Sequence, residues 1–128
     1  NLKYRVKSIV NKNATLEVVG VRSKSLKTVN IPGMVTINGV SGKVTAIGNN
    51  AFKGCKKLKK VSINSVYLTT IGKSAFGNCK KLKKVVIKSK KLKKVGKKAF
   101  FKISKKSVIK VPAAKKKTYK KILGRKVK

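Results

Sequence analysis

Apolar positions along this chain change period at regular intervals. Ala51, Phe52, Cys55 and Leu58 lie at i, i+1, i+4 and i+7, which is one face of a helical turn. Val61 and Ile63 then alternate about Ser62 as a short strand, Asn64-Ser65 makes a bend, and Leu68 and Ile71 close the circuit. The same set returns 24 positions later as Ala75, Phe76, Cys79, Leu82, Val85, Ile87, Leu92 and Val95. Residues 47–63 read I-G-N-N-A-F-K-G-C-K-K-L-K-K-V-S-I and residues 71–87 read I-G-K-S-A-F-G-N-C-K-K-L-K-K-V-V-I; a looser copy starts at Val95 with V-G-K-K-A-F. A fixed period of this size is the mark of a stacked repeat. One helical or irregular turn, one strand and one return segment make a rung that cannot bury its own apolar face, so rungs must stack. The pattern predicts a β-rich repeat solenoid with short parallel strands, one per repeat of about 24 residues. Gly48, Gly72 and Gly96 recur at one point of each rung and predict either a special φ or a close approach there.

The flanks read differently. In residues 1–22, Tyr4, Val6 and Ile9 alternate, Asn11-Lys12-Asn13 signals a turn, and Leu16, Val18 and Val21 alternate again, predicting a hairpin. Val35-Thr36-Ile37, Asn38-Gly39 and then Val40 and Val44 predict a second hairpin, since both turn residues tolerate positive φ. Between them Leu26, Val29 and Ile31 repeat the spacing of Leu58, Val61 and Ile63, so a degenerate repeat strand is embedded there. Residues 1–46 are thus expected to form a β-hairpin N-cap, and residues 47–111 the repeats. In the third copy Ile103 replaces the cysteine and Lys106 the leucine, while Ile109 and Val111 keep the strand before Pro112 stops it. Tyr119, Ile122 and Leu123 share a helical face ahead of Gly124, so residues 112–128 are expected to carry a helical C-cap over residues 113–123. A free basic membrane helix is the alternative, with a stripe of only three apolar residues. Residues 1–128 are read as one domain, and a monomer.

Charge adds a second layer. Among 128 residues, 37 are Lys or Arg and one, Glu17, is acidic, for a net charge of +36. Such a chain repels itself and attracts polyanions, whether nucleic acid, wall polymer, acidic glycan or membrane surface. The plain alternative is that lysine merely solvates the outer face of the repeat. No apolar run approaches the roughly 20 residues that span a bilayer. The chain begins at Asn1 without a Met or a signal-peptide pattern, as expected of a piece of something longer. Cys55 and Cys79 occupy equivalent places in successive rungs; two buried thiols are expected, with a bridge as the alternative.

The motif I-G-x-x-A-F-x-x-C followed by L-x-x-V-x-I resembles the BspA-like leucine-rich repeats of bacterial secreted and surface proteins. It covers residues 47–111, and residues 26–31 in part. The Asn-Gly hairpin and the basic tail after Val111-Pro112 also resemble C-terminal modules of Gram-positive surface proteins. The resemblance implies a right-handed solenoid, outside the cell or on its surface, that serves adhesion or other protein binding and has no active site. The lysine content exceeds what the repeat pattern requires.

Several chemistries are excluded by composition. With no histidine and one carboxylate side chain, neither a Ser-His-Asp triad nor a pair of catalytic acids exists in the chain. Two cysteines without histidine do not close a zinc site, and hard cations lack ligands. Ser107-Val108-Ile109-Lys110 has the S-x-x-K spacing but falls in a strand, where positions three apart face opposite ways. No enzyme, cofactor, metal or small-molecule substrate is expected. The lysines remain. Stacking would set Lys56 over Lys80, Lys57 over Lys81 and Lys105, Lys59 over Lys83, and Lys60 over Lys84, and a second field comprises Lys90, Lys91, Lys93, Lys94, Lys97 and Lys98. Lysine is a point charge without arginine's bidentate geometry, so nucleic-acid binding in vitro is expected to be non-specific. Phe52, Cys55, Leu58, Val61, Ile63, Phe76, Cys79, Leu82, Val85 and Ile87 are expected to form the repeat core and to be mute about function. Three readings follow: an adhesion or interaction module binding through its lysine-rich face, an electrostatic anchor on anionic wall polymer or mucin, and a non-specific nucleic-acid binder.

Overall fold

The repeated apolar set folds into stacked coils, which contribute to one parallel and one mixed sheet that share one core. The computed structural model describes residues 2–124 and 126–128. The chain opens with the hairpin β1 (Leu2–Val10) and β2 (Asn13–Val21), turning through Asn11 and Lys12 at φ of 51° and 66°. Next come β3 (Thr28–Ile31) and the Asn38-Gly39 hairpin of β4 (Met34–Ile37) and β5 (Val40–Ile47). The repeats supply β6 (Lys60–Ile63), β7 (Thr70–Ile71), β8 (Lys84–Ile87), β9 (Lys94–Val95) and β10 (Val108–Lys110). A 3-10 turn at Ala113–Lys115 leads into α1 (Lys116–Leu123).

One sheet has the order β10-β8-β6-β3, all parallel. It is the sheet expected from the repeat strand, and the embedded strand at residues 26–31 joins it as β3, with Val29 opposite Val61 and Ile31 opposite Ile63. The other has the order β1-β2-β5-β7-β9, with β4 also on β5. Its two-residue strands β7 and β9 come from the return segment, for which the pattern signalled only a closing apolar pair. Ile71 pairs with Ile47 on one side and Val95 on the other, so an extended stretch too short to read as a strand gains a ladder only by stacking.

Inward positions of both sheets meet in one cluster: Val61, Ile63, Val85, Ile87 and Ile109 from one, Leu16, Val18, Val44, Ile47 and Ile71 from the other. All ten residues expected in the repeat core are buried. Phe52, Phe76 and Phe100 stack in register, with centroids 4.9 and 5.1 Å apart and planes within 1° and 5° of parallel. Before each repeat strand the chain makes successive turns, with Cys55 N–H donating to the Phe52 carbonyl at 3.2 Å and Leu58 N–H to that of Cys55 at 3.2 Å. Bonds between rungs tie these turns together: Phe52 N–H donates to the Ala75 carbonyl at 2.7 Å and Phe76 N–H to that of Ala99 at 2.8 Å.

Cys55 and Cys79 are free and buried, as the core reading expects. The Cys79 thiol donates to the Phe52 carbonyl at 3.1 Å, and the adjoining Cys55 sulfur, together with burial, pushes it up. Of the two requirements posed by the glycine column, close approach applies. A Cβ on Gly72 would stand 2.5 Å from the Asn49 nitrogen, and one on Gly96 would stand 2.4 Å from that of Lys73.

The C-terminal end is covered by α1, whose Tyr119 is fully buried and whose Leu123 packs on the core. Ile122 does not join them; it is 36% exposed. Beyond the helix, Val127 returns to bridge Ile109 and extends the repeat sheet by one position. Arg125, in the tail assigned to the cap, lies outside the described residues.

Candidate polyanion-binding surface

Strands β6 and β8 of the two full repeats start with a lysine because K-K-L-K-K places one leucine inward between two outward pairs. Lys56, Lys57, Lys59, Lys60, Lys80, Lys81, Lys83 and Lys84 are all exposed, while Leu58 and Leu82 are fully buried. Lys60 lies directly opposite Lys84 in the ladder. Lys59 and Lys83 are tied by the backbone, with Lys83 N–H donating to the Lys59 carbonyl at 3.0 Å. Two unit charges about 5 Å apart repel by about 0.8 kcal/mol in bulk water, and less in salt.

Two further lysines belong to these columns. Lys59 N–H donates to the Lys27 carbonyl at 2.7 Å, and Thr28 stands opposite Lys60. The same offset sets Lys24 against Lys56. The signal was in the sequence: Leu26, Val29 and Ile31 align with Leu58, Val61 and Ile63, which places Lys27 at Lys59 and Lys24 at Lys56.

Lys90, Lys91, Lys93, Lys94, Lys97 and Lys98 are also exposed, but they are not a column. They run around a single rung, and Lys94 stands opposite Thr70. The lysine field therefore has two geometries, one along the stack and one around its last full coil.

Little compensates this charge. The single carboxylate side chain, Glu17, accepts from Arg5 Nη2 at 2.5 Å and Nε at 2.8 Å. Aromatic faces take up a few cations: Lys98 and Lys102 stand 5.2 and 5.4 Å from the ring centre of Phe101, and Lys43 stands 4.9 Å from that of Tyr67. Phe52 and Phe76 are fully buried inside the stack, and Phe101, outside the repeat motif, is 45% exposed. Ser107 is buried while Lys110 is exposed, so the S-x-x-K spacing does not bring hydroxyl and amine to one surface. Among the described residues no cluster of potential metal ligands occurs, and no helix is long and apolar enough to cross a membrane.

Stacked coils of this kind, a parallel and a mixed sheet around a ladder of leucine, valine, isoleucine and phenylalanine, define a leucine-rich-repeat solenoid. The BspA-type leucine-rich repeat region matches residues 21–124 in six copies, and the chain belongs to that family. Among solved structures it is similar to a leucine-rich cell surface protein from Faecalibacterium prausnitzii A2-165, with 28% identity and a TM-score of 0.63 over 83% of this chain and 28% of that one. It is also similar to a leucine-rich repeat protein from Bacteroides ovatus ATCC 8483, with 26% identity and a TM-score of 0.60 over 88% of this chain and 36% of that one. The chain thus spans about a third or less of the length of these relatives. No curated protein matches it.

Proposed function

We propose that residues 1–128 act as one non-catalytic interaction module of a larger bacterial surface protein, working outside the cell and binding an anionic ligand through lysines of the solenoid. The register of Lys60 with Lys84, extended by Lys27, Lys59 and Lys83, carries this reading. A column of like charge opposes folding, and a bound polyanion relieves it. Membership of a repeat family whose similar structures include a cell surface protein supports the setting. The residues assigned to the surface are Lys56, Lys57, Lys59, Lys60, Lys80, Lys81, Lys83 and Lys84 along the stack, with Lys90, Lys91, Lys93, Lys94, Lys97 and Lys98 around its last coil.

A second reading, electrostatic retention on wall polymer or mucin, is favoured by the spread of charge over the whole chain against one acid, already paired. Salt titration of binding separates the two. Adhesion predicts one preferred ligand whose binding survives about 0.5 M salt, whereas retention predicts a steep loss of affinity with salt, the same for every polyanion. If neither heparin, wall polymer nor DNA binds at low salt, the lysine surface has no such role.

A further inference from the structure

One part of the lysine-rich surface is a groove. Lys24, Asn50, Lys53, Lys56, Asn78 and Lys80 line a cleft of ≈ 600 Å³ beside the turns that carry Phe52 and Phe76. Its lysines come from successive rungs, since Lys24, Lys56 and Lys80 are equivalent positions of three neighbouring coils. The coils of Lys56 and Lys80 are 4.9 Å apart at Phe52 and Phe76, so three coils make a strip about 10 Å long. The groove is built as well as charged. Lys24 Nζ donates to the Lys53 carbonyl at 3.2 Å, beside Gly54 at φ 76°. Asn50 and Asn78, both left-handed at φ 60°, hold the turns on either side.

We infer that this groove binds a linear glycan bearing phosphate or sulfate esters, laid along the solenoid axis. Lys24, Lys56 and Lys80 each meet an ester, and Asn50 and Asn78 take sugar hydroxyls. The inference rests on the lysine-surface reading above and locates it. Its span of three rungs is more than a single small oxyanion fills. Nucleic acid fits less well, because no aromatic ring or arginine lines the cleft, so neither base stacking nor bidentate recognition is available. Compact ammonium groups at regular intervals suit monodentate esters on a stiff polymer.

The test compares two variants with equal charge removed. One carries Lys24→Gln, Lys53→Gln, Lys56→Gln and Lys80→Gln; the other carries Lys116→Gln, Lys117→Gln, Lys120→Gln and Lys121→Gln on α1. Affinity is measured for heparin, dextran phosphate and double-stranded DNA at one fixed salt. The groove variant is expected to lose about tenfold or more for a glycan polymer and the helix variant less than about threefold, while DNA falls about equally for both. Preference for heparin or for dextran phosphate names a sulfated or a phosphorylated glycan as the source, and either, with the groove-specific loss, supports the site. Equal losses for the two variants overturn the groove and leave the lysine surface standing. A groove-specific loss on DNA alone overturns the glycan. No binding by the unmodified chain removes both proposals. If the groove variant melts below assay temperature, Lys56→Gln with Lys80→Gln against Lys117→Gln with Lys121→Gln reads the same contrast.

Discussion

At the scale of single residues, backbone contact decides more than side-chain chemistry. Gly72 is pressed against the backbone of the preceding coil, where a Cβ would meet the Asn49 nitrogen at 2.5 Å and the Gly48 carbonyl carbon at 2.6 Å. Neither atom can move without breaking the stack. Gly72→Ala is therefore expected to destabilise the fold by about 2 kcal/mol or more, measured by urea denaturation. Gly48→Ala meets Glu17 Cδ and the Val18 carbonyl at 3.2 Å and should cost clearly less. Equal costs at the two sites would show that the glycines serve chain flexibility and not rung spacing. The glycine column was visible in the sequence, but its reason was not, because close approach exists only between coils. The left-handed positions were less visible still. Asn50, Ser74 and Lys98 share one turn position at φ 60°, 52° and 59°, and Gly54, Asn78 and Lys102 share another at 76°, 60° and 57°. Asparagine and glycine announce such a conformation; serine and lysine do not, and adopt it because the turn is stacked on one that requires it.

At the scale of elements, the stack has to end its own ladders. Ser89 Oγ donates to the Leu68 carbonyl of the preceding coil at 2.7 Å and accepts Lys91 N–H at 3.0 Å, and Ser65 does the same with Val44 and Tyr67 one coil earlier. The next position at this period is Ala113, which has no hydroxyl. Tyr119 of α1 takes over, its hydroxyl donating to the Ser89 carbonyl at 2.8 Å and accepting Leu92 N–H at 3.1 Å. Tyr119→Phe keeps the ring in the core and leaves both backbone groups unpaired. It is expected to cost about 1–3 kcal/mol and to speed amide exchange at Leu92 selectively. An unchanged Leu92 exchange rate would mean that the helix is held by apolar contact alone. The helix itself was legible from Tyr119, Leu123 and Gly124, but the bond that anchors it was not, since a phenol's partner 30 residues away has no sequence signature.

At the scale of the whole molecule, order and charge oppose each other. The two full-repeat coils align their lysines, as Lys60 with Lys84 and Lys59 with Lys83. Several such contacts sum to a few kcal/mol in a stability that is typically about 5–15 kcal/mol. The melting temperature is thus expected to rise by roughly 5 °C or more between low salt and about 0.5 M sodium chloride, followed by circular dichroism. Replacing Lys27, Lys59, Lys60, Lys83 and Lys84 by glutamine should raise the low-salt melting temperature and flatten that dependence. A melting temperature indifferent to salt in the unmodified chain would show that the ammonium groups are fully solvated.

What the sequence determined alone is the repeat: its period, its buried set from Ala51 to Val95, the parallel repeat strand, both hairpins and the sign of the surface. These are carried by spacing and residue type, which act within one coil or between equivalent positions of the next. Only the tertiary structure decided the second sheet, the division of the lysines into columns and a ring, and the groove beside the turns. Each depends on where one coil lies on another, and a period in the chain sets that offset only once the coils have stacked.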